Sequence, residues 1–200
     1  MSSKSEKKRT LILDRAKQVF IRKGYSSVTM KDIIDECEIS RGGIYVYFSS
    51  VDEIFMEVIN RHNQVHVEKI KIDIQDNRDF KATIDRYFQI KKDRLLHIED
   101  TLLLAVFEFY IANKHKTDKD FFSGTFAVLE NGILEIFNRG VAEGYLNSDY
   151  IQVLAENILC CIKGLETLAL SSGITEELID KQFDFCKRTI FSMNQRGHTS

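Results

Sequence analysis

The chain contains no proline and no tryptophan, and only ten glycines among its 200 residues. Without proline to interrupt them, and with 29% charged residues to solvate their surfaces, long helices with short connections are expected. No apolar run approaches the ~20 residues of a bilayer span, so no membrane partner is expected. The charged N-terminus lacks the apolar stretch of a signal peptide, and the chain therefore reads as cytoplasmic. Four cysteines, Cys37, Cys160, Cys161 and Cys186, show neither CxxC pairing nor a histidine at zinc spacing, which favours reduced thiols and no structural metal. His62 and His66 stand at i, i+4 but have no third ligand at a suitable spacing, so no metal site is expected. The chain also lacks a Gly-rich phosphate loop, a GxSxG elbow and an HExxH pair. No cofactor or catalytic nucleophile is implied, and an enzyme is not expected.

What is present is unevenly distributed. A hydrophobic content of 44% is enough for one or two small domains. The first fifty residues carry ten Lys/Arg against six Asp/Glu, a net +4, while the remainder carries eighteen against twenty-four, a net −6. A basic head on an acidic body suggests that the head meets a polyanion. Within it, Ile12, Leu13, Ala16, Val19 and Phe20 recur at helical spacing, and Gly24 closes the helix after Arg22 and Lys23. Thr29 is placed to cap a second helix, with Asp32 in its first turn and Ile33, Ile34 and Cys37 on its apolar face. After a break at Glu38-Ile39, Ser40 caps a third helix whose inward pair is Ile44 and Phe48. That leaves Arg41, Gly42, Gly43, Tyr45 and Tyr47 facing outward. A cation, two residues without side chains and two phenols favour close approach to a phosphate-bearing surface. Two short helices joined by a tight turn, the second so decorated, describe a helix-turn-helix.

The segment GYSSVTMKDIIDECEISRGGIYVYFSSVDEIF resembles the DNA-binding signature of the TetR (tetracycline-repressor-like) transcriptional regulators, roughly GYxxTTxxDIAxxAGVSxGxxYxYFxSKExL. The resemblance covers about the first quarter of the chain. It implies an all-α fold, with a three-helix helix-turn-helix domain over residues 1–50 and a helical effector-binding and dimerisation domain over 51–200. It further implies that Thr29, Lys31, Ser40, Arg41, Gly42, Gly43, Tyr45 and Tyr47 meet a double-stranded DNA operator. Tyr45 and Tyr47 would lie mainly on phosphates, with Arg41 and Gly43 nearest base edges. Two positions depart from the signature. Glu38 stands where glycine is common, and in a left-handed conformation its side chain costs about 1–2 kcal/mol. Val51 replaces a common lysine and removes one phosphate contact.

The remaining hundred and fifty residues read as helices throughout. Ser50 and Glu53 are spaced as a capping box opening a fourth helix toward Val65, and IQDNRDF interrupts it. Further helices are expected over Phe80 to Leu95, Leu102 to Ile111 and Phe121 to Phe137. Gly144 and Asn147 punctuate the chain before Ser148 caps another. From Ile151 to Leu170 nearly every face is apolar, with Leu154, Ile158, Cys161, Leu165 and Leu168 among the residues that need covering. The following helix carries a seam of Ile179, Phe183, Cys186 and Ile190. A partner subunit is the expected cover for both, as in TetR-like homodimers, which pair through their last two long helices. Aromatic excess in the middle of the chain suggests a pocket for an unidentified, largely apolar small-molecule effector, with Phe88, Phe107, Glu108, Tyr110, Phe122 and Phe126 as its expected lining. Cys160-Cys161 could sense redox state, although paired thiols in an apolar helix more often pack inertly. The function expected is a homodimeric repressor released by its effector. The alternative is an architectural or partner-binding DNA-binding protein of the same fold without a small ligand.

Overall fold

The computed structural model describes residues 3–75, 79–114 and 119–192. Among these every regular element is helical, and the chain divides into two compact units.

The first unit comprises residues 1–64 and 99–122. Helix α1 (Ser3–Lys23) presents Ile12, Leu13, Ala16, Val19 and Phe20 to the core. It ends where Gly24 takes φ 73° and donates to the Phe20 carbonyl at 3.0 Å. Helix α2 (Met30–Cys37) opens on a reciprocal capping box. The Thr29 hydroxyl accepts from the Asp32 N–H, and the Asp32 carboxylate accepts from the Thr29 N–H at 2.8 Å. It closes on Glu38 at φ 54° and ψ 39°, with the Glu38 N–H on the Asp35 carbonyl and the Ile39 N–H on the Ile34 carbonyl. This is a Schellman ending built on a non-glycine residue. Helix α3 (Arg41–Tyr45) starts from Ser40, whose hydroxyl accepts from the Gly43 N–H. Helix α4 (Val51–Gln75) begins with half of the expected capping box: the Ser50 hydroxyl accepts from the Glu53 N–H. The Glu53 carboxylate reaches one residue further back, accepting from the N–H and hydroxyl of Ser49.

A further helix completes this unit, after a short 3-10 turn at Ile98–Asp100. Helix α6 (Leu103–Asn113; α5 is described below) buries Ala105 and Phe109 in the same core as α1 to α3 and the start of α4. Phe109 packs 5.1 Å from Phe55 and 4.9 Å from Tyr25, ring centre to ring centre. Sequence reading placed this helix in the body and a boundary after residue 50. The packing instead gathers α6 and the first turns of α4 around the three N-terminal helices, because Phe55 and Phe109 complete their aromatic core.

The second unit comprises residues 65–98 and 123–200. Its core is formed by α5 (Phe80–Leu96), α7 (Lys119–Ala142), α8 (Ile151–Ser171) and α9 (Glu176–Ser192). The Asp79 side chain caps α5, and Lys92 bridges Glu176 and Asp180 on α9 at 2.8 and 2.6 Å. Asn147, rather than Ser148, provides the cap before α8. Its side chain accepts from the Asp149 N–H in a 3-10 turn, and α8 itself starts without a side-chain cap.

The seam expected to face a partner subunit faces inward. Leu154, Ile158, Leu165, Ile179, Phe183, Cys186 and Ile190 are all buried in this chain's own core, against α5 and α7, and so offer a partner almost no surface. Cys161 is half-buried against the same core, and Leu168 remains exposed. The helical period identifies a face that needs covering, and the protomer itself supplies the cover.

Candidate nucleic-acid interface

Ile44 and Phe48 are fully buried, and this inward pair fixes the rotation of α3. Tyr45 and Val46 consequently point to solvent, Val46 with 78% of its surface exposed. Arg41 is exposed and its guanidinium lies 5.9 Å from the Tyr45 ring centre, a contact that holds the cation without neutralising it. Gly42 is open, so a side chain there would project from the same face. Gly43 is tighter: a Cβ would lie 3.1 Å from the Ser40 hydroxyl and crowd the cap. Thr29 and Lys31 are exposed at the start of α2. Tyr47 is half-buried against the core, leaving part of its ring accessible.

Ion pairing sorts the cations of this unit. Arg9 pairs with Glu57 and lies 4.9 Å from the Phe48 ring centre, clamping α1 to α4. Arg22 pairs with Glu36, and Lys23 with Asp32 at 2.5 Å, tying α1 to α2. Among the described residues, Lys8, Lys31 and Arg41 form no ion pair with a carboxylate, and neither do Lys4, Lys7, Arg15 and Lys17 elsewhere on α1. Lys8 belongs to α1, yet its ammonium stands 6.0 Å from the Tyr47 ring centre and 3.8 Å from where a Gly43 Cβ would be. Exposed unpaired cations beside exposed phenols form a surface suited to phosphates. The Asp32 carboxyl is held well below the usual carboxylate range by Lys23 and by both Thr29 hydrogen bonds.

Residues 12–58 match the family model of the bacterial regulatory proteins of the tetR family. The chain belongs to the TetR family. It is 29% identical over 140 residues to YfiR, a helix-turn-helix-type transcriptional regulator of Bacillus subtilis, spanning 70% of this chain and 68% of that one. To QacR, a helix-turn-helix-type transcriptional regulator of Staphylococcus aureus, it is 23% identical over 176 residues, or 84% of this chain and 88% of that one. A TetR transcriptional regulator from Chloroflexus aurantiacus shares the fold at TM-score 0.73 and 17% identity, covering 94% and 96% of the two chains. One from Haloarcula marismortui does so at 0.72 and 15%, covering 95% and 97%. This TetR-family chain is accordingly a DNA-binding transcriptional regulator. Among its described residues no helix is long and apolar enough to cross a membrane.

For this TetR protein, the structure gathers Ser40, Arg41, Gly42, Gly43, Tyr45 and Tyr47 on and around α3, with Thr29 and Lys31 at the start of α2. Sequence reasoning missed Lys8 and Val46. Val46 falls between the two tyrosines and was legible from the Ile44/Phe48 register. Lys8 reaches α3 only through tertiary packing and left no local signal. The residues expected to line an effector pocket fall in both units. Phe107, Glu108 and Tyr110 lie on α6 in the first unit, whereas Phe88 and Phe126 belong to the second. Phe88 is buried with its ring 4.9 Å from Phe183. Phe107 and Phe126 are exposed, and the Phe122 side chain lies outside the described residues. Glu108 closes a turn instead. Its carboxylate accepts from the N–H groups of Tyr25 and Ser26 at 2.7 and 2.8 Å. A side chain on Gly24 would come within 2.6 Å of it, so the end of α1 is sealed by glycine and carboxylate together.

Proposed function

We propose that this regulator is a homodimeric repressor whose two α3 faces read the halves of a palindromic operator. The observation that carries the reading is the exposed Arg41–Tyr45–Val46 edge, held outward by Ile44 and Phe48, with Lys8 unpaired near Tyr47 and Lys31 unpaired at the start of α2. On this surface Lys8, Lys31 and Tyr47 neutralise or hydrogen-bond phosphates, and Arg41 reaches base edges. The dimer is assigned to the outer faces of α8 and α9, where Val153, Leu168 and Phe185 remain exposed; Phe185 shows 64% of its surface. Gly164 lies on the same side of α8 with open space where its side chain would be, permitting close helix approach.

Release by a small, largely apolar effector is part of the same proposal. The exposed ring Phe126 is its contact candidate in the second unit, because Phe88 is already committed to packing there. An effector shifts the regulator only if it prefers the arrangement that does not bind DNA. The commitment of Phe88 to packing and of Glu108 to turn closure favours, as a second reading, a regulator of the same fold without a small ligand.

The test is to sequence the genomic DNA fragments retained by the purified protein. A shared palindrome with half-sites about 10 bp apart, or a multiple of it, is expected. Retention without sequence preference would contradict operator recognition. Release of that operator by an apolar compound in wild type, lost in Phe126→Ala at unchanged operator affinity, would separate the sensor from the ligand-free reading.

A further inference from the structure

Helix α1 starts well before the core to which it contributes. It begins at Ser3, yet its first buried residue is Ile12, so roughly 13 Å of helix precedes the hydrophobic contacts. Polar contacts hold this stretch against α4. Arg9 pairs with Glu57 and lies against the Phe48 ring, while the Arg61 guanidinium donates to the Thr10 carbonyl and pairs with Asp14, both at 3.5 Å. These clamps fix the rotation of the helix. Away from them, Lys4, Lys7 and Lys8 are exposed, and none pairs with a carboxylate among the described residues. At ~100° per residue the three fall within about 100° of one another, and Glu6, the one acid in this stretch, stands at least about 100° from each. The row meets α3 at one end: the Lys8 ammonium lies 6.0 Å from the Tyr47 ring centre and 3.8 Å from where a Gly43 Cβ would be. We propose that Lys4, Lys7 and Lys8 form a second phosphate track, continuous with α3 at Lys8, that binds the backbone of the same duplex beyond the groove α3 enters.

The inference rests on the assignment of α3 to DNA, and it follows from continuity and charge. Lys8 shares its surroundings with Tyr47 and Gly43, so whatever polyanion α3 meets lies within reach of the row that Lys8 begins. Lys4 stands one turn further out, ~6 Å along the helix axis. A duplex presents one phosphate charge per ~1.7 Å of its own axis, so lysines at that spacing neutralise different phosphates. An ammonium on a flexible stem is a point charge without the planar fork that reads base edges. The track therefore adds affinity and length of contact, not sequence preference, and leaves discrimination to Arg41 and its neighbours on α3.

The test measures the salt dependence of binding by the full-length protein to its retained operator and to a random-sequence duplex of equal length, with hydroxyl-radical footprinting of the operator complex. The double variant Lys4→Ala/Lys7→Ala keeps helix propensity and leaves Lys8 in place. It is expected to flatten the slope of log K against log salt by about 1.8, or 0.9 per lost contact, on both duplexes. The ratio of operator to random affinity should not change, and the footprint should lose backbone positions while gaining none. Lys4→Arg/Lys7→Arg should restore the wild-type slope. Arg22→Ala removes a charge from the same helix where it is paired with Glu36, and should leave slope and footprint unchanged. A wild-type slope and footprint in the double alanine variant, a changed operator-to-random ratio, or flattening by a full contact in Arg22→Ala would each overturn the proposal. Absence of any shared palindrome in wild type would instead fall on operator reading by α3, and the random-duplex slopes would still decide the track.

Discussion

Glu38 holds a left-handed backbone that strongly favours glycine, and among the described residues it is the one non-glycine at positive φ. The strain is about 1–2 kcal/mol, of which glycine would recover only part because it also frees the unfolded chain by about 0.4–1 kcal/mol. Glu38→Gly is therefore expected to stabilise the first unit by about 0.5–1 kcal/mol in urea titration, and to strengthen DNA binding without changing its sequence preference, since a negative charge leaves the neighbourhood of α3. A second residue acts in the opposite sense. Lys91 is buried in the second unit, where desolvation and then the Arg94 charge lower its pKa to about 7. The unfolded chain binds that proton up to about pH 10.4, so it holds more protons than the folded chain between about pH 7 and 10. Stability should accordingly rise with pH across that window. Desolvation pushes the Tyr87 phenol up, so the rise is expected to fail above pH 10 as unfolded tyrosine ionises. Lys91→Met should remove the slope and stabilise the protein at pH 7 by a few kcal/mol, on the order expected for such a shift; an unchanged pH profile would contradict it.

The helix ends show which elements were legible and why. Thr29, Asp32, Ser40 and Gly24 act within three or four residues of chain, and their caps were readable directly from spacing. So was the inward pair Ile44/Phe48. What spacing could not supply was the identity of the covering surface. Ile179, Phe183 and Ile190 have a clear stripe, yet the stripe meets α5 and α8 of its own chain. Lys8 joins the surface around α3, and α6 the first unit, through contacts made far along the chain. Two variants test these elements. Thr29→Ala should cost about 1 kcal/mol. The depressed Asp32 carboxyl contributes stability above the ordinary carboxylate range and loses it as pH falls through its lowered pKa, so the variant should also show a weaker acid dependence. On the α8–α9 pair, Phe185→Glu should yield a folded monomer in sedimentation, whereas Ile190→Glu should unfold the protein by burying a charge. Unfolding in both, or dissociation in neither, would place the dimer elsewhere.

At the scale of the molecule, the two compact units divide the work expected of a TetR-family regulator. The first carries the outward edge of α3, and the second offers the exposed side of α8 and α9. The central claim is that the unpaired cations of the first unit, rather than its positive charge in general, bind DNA. The most direct measurement compares the affinity of wild type, Arg41→Ala and Arg22→Ala for a retained operator at two salt concentrations. Arg22 is paired with Glu36, whereas Arg41 stacks on Tyr45 without a carboxylate partner among the described residues. The account predicts that Arg41→Ala weakens binding by roughly 5- to 150-fold, the equivalent of 1–3 kcal/mol, and relaxes sequence preference, with helix content unchanged. Arg22→Ala should bind within about twofold of wild type. Equal losses in the two variants, or wild-type binding by Arg41→Ala, would contradict it.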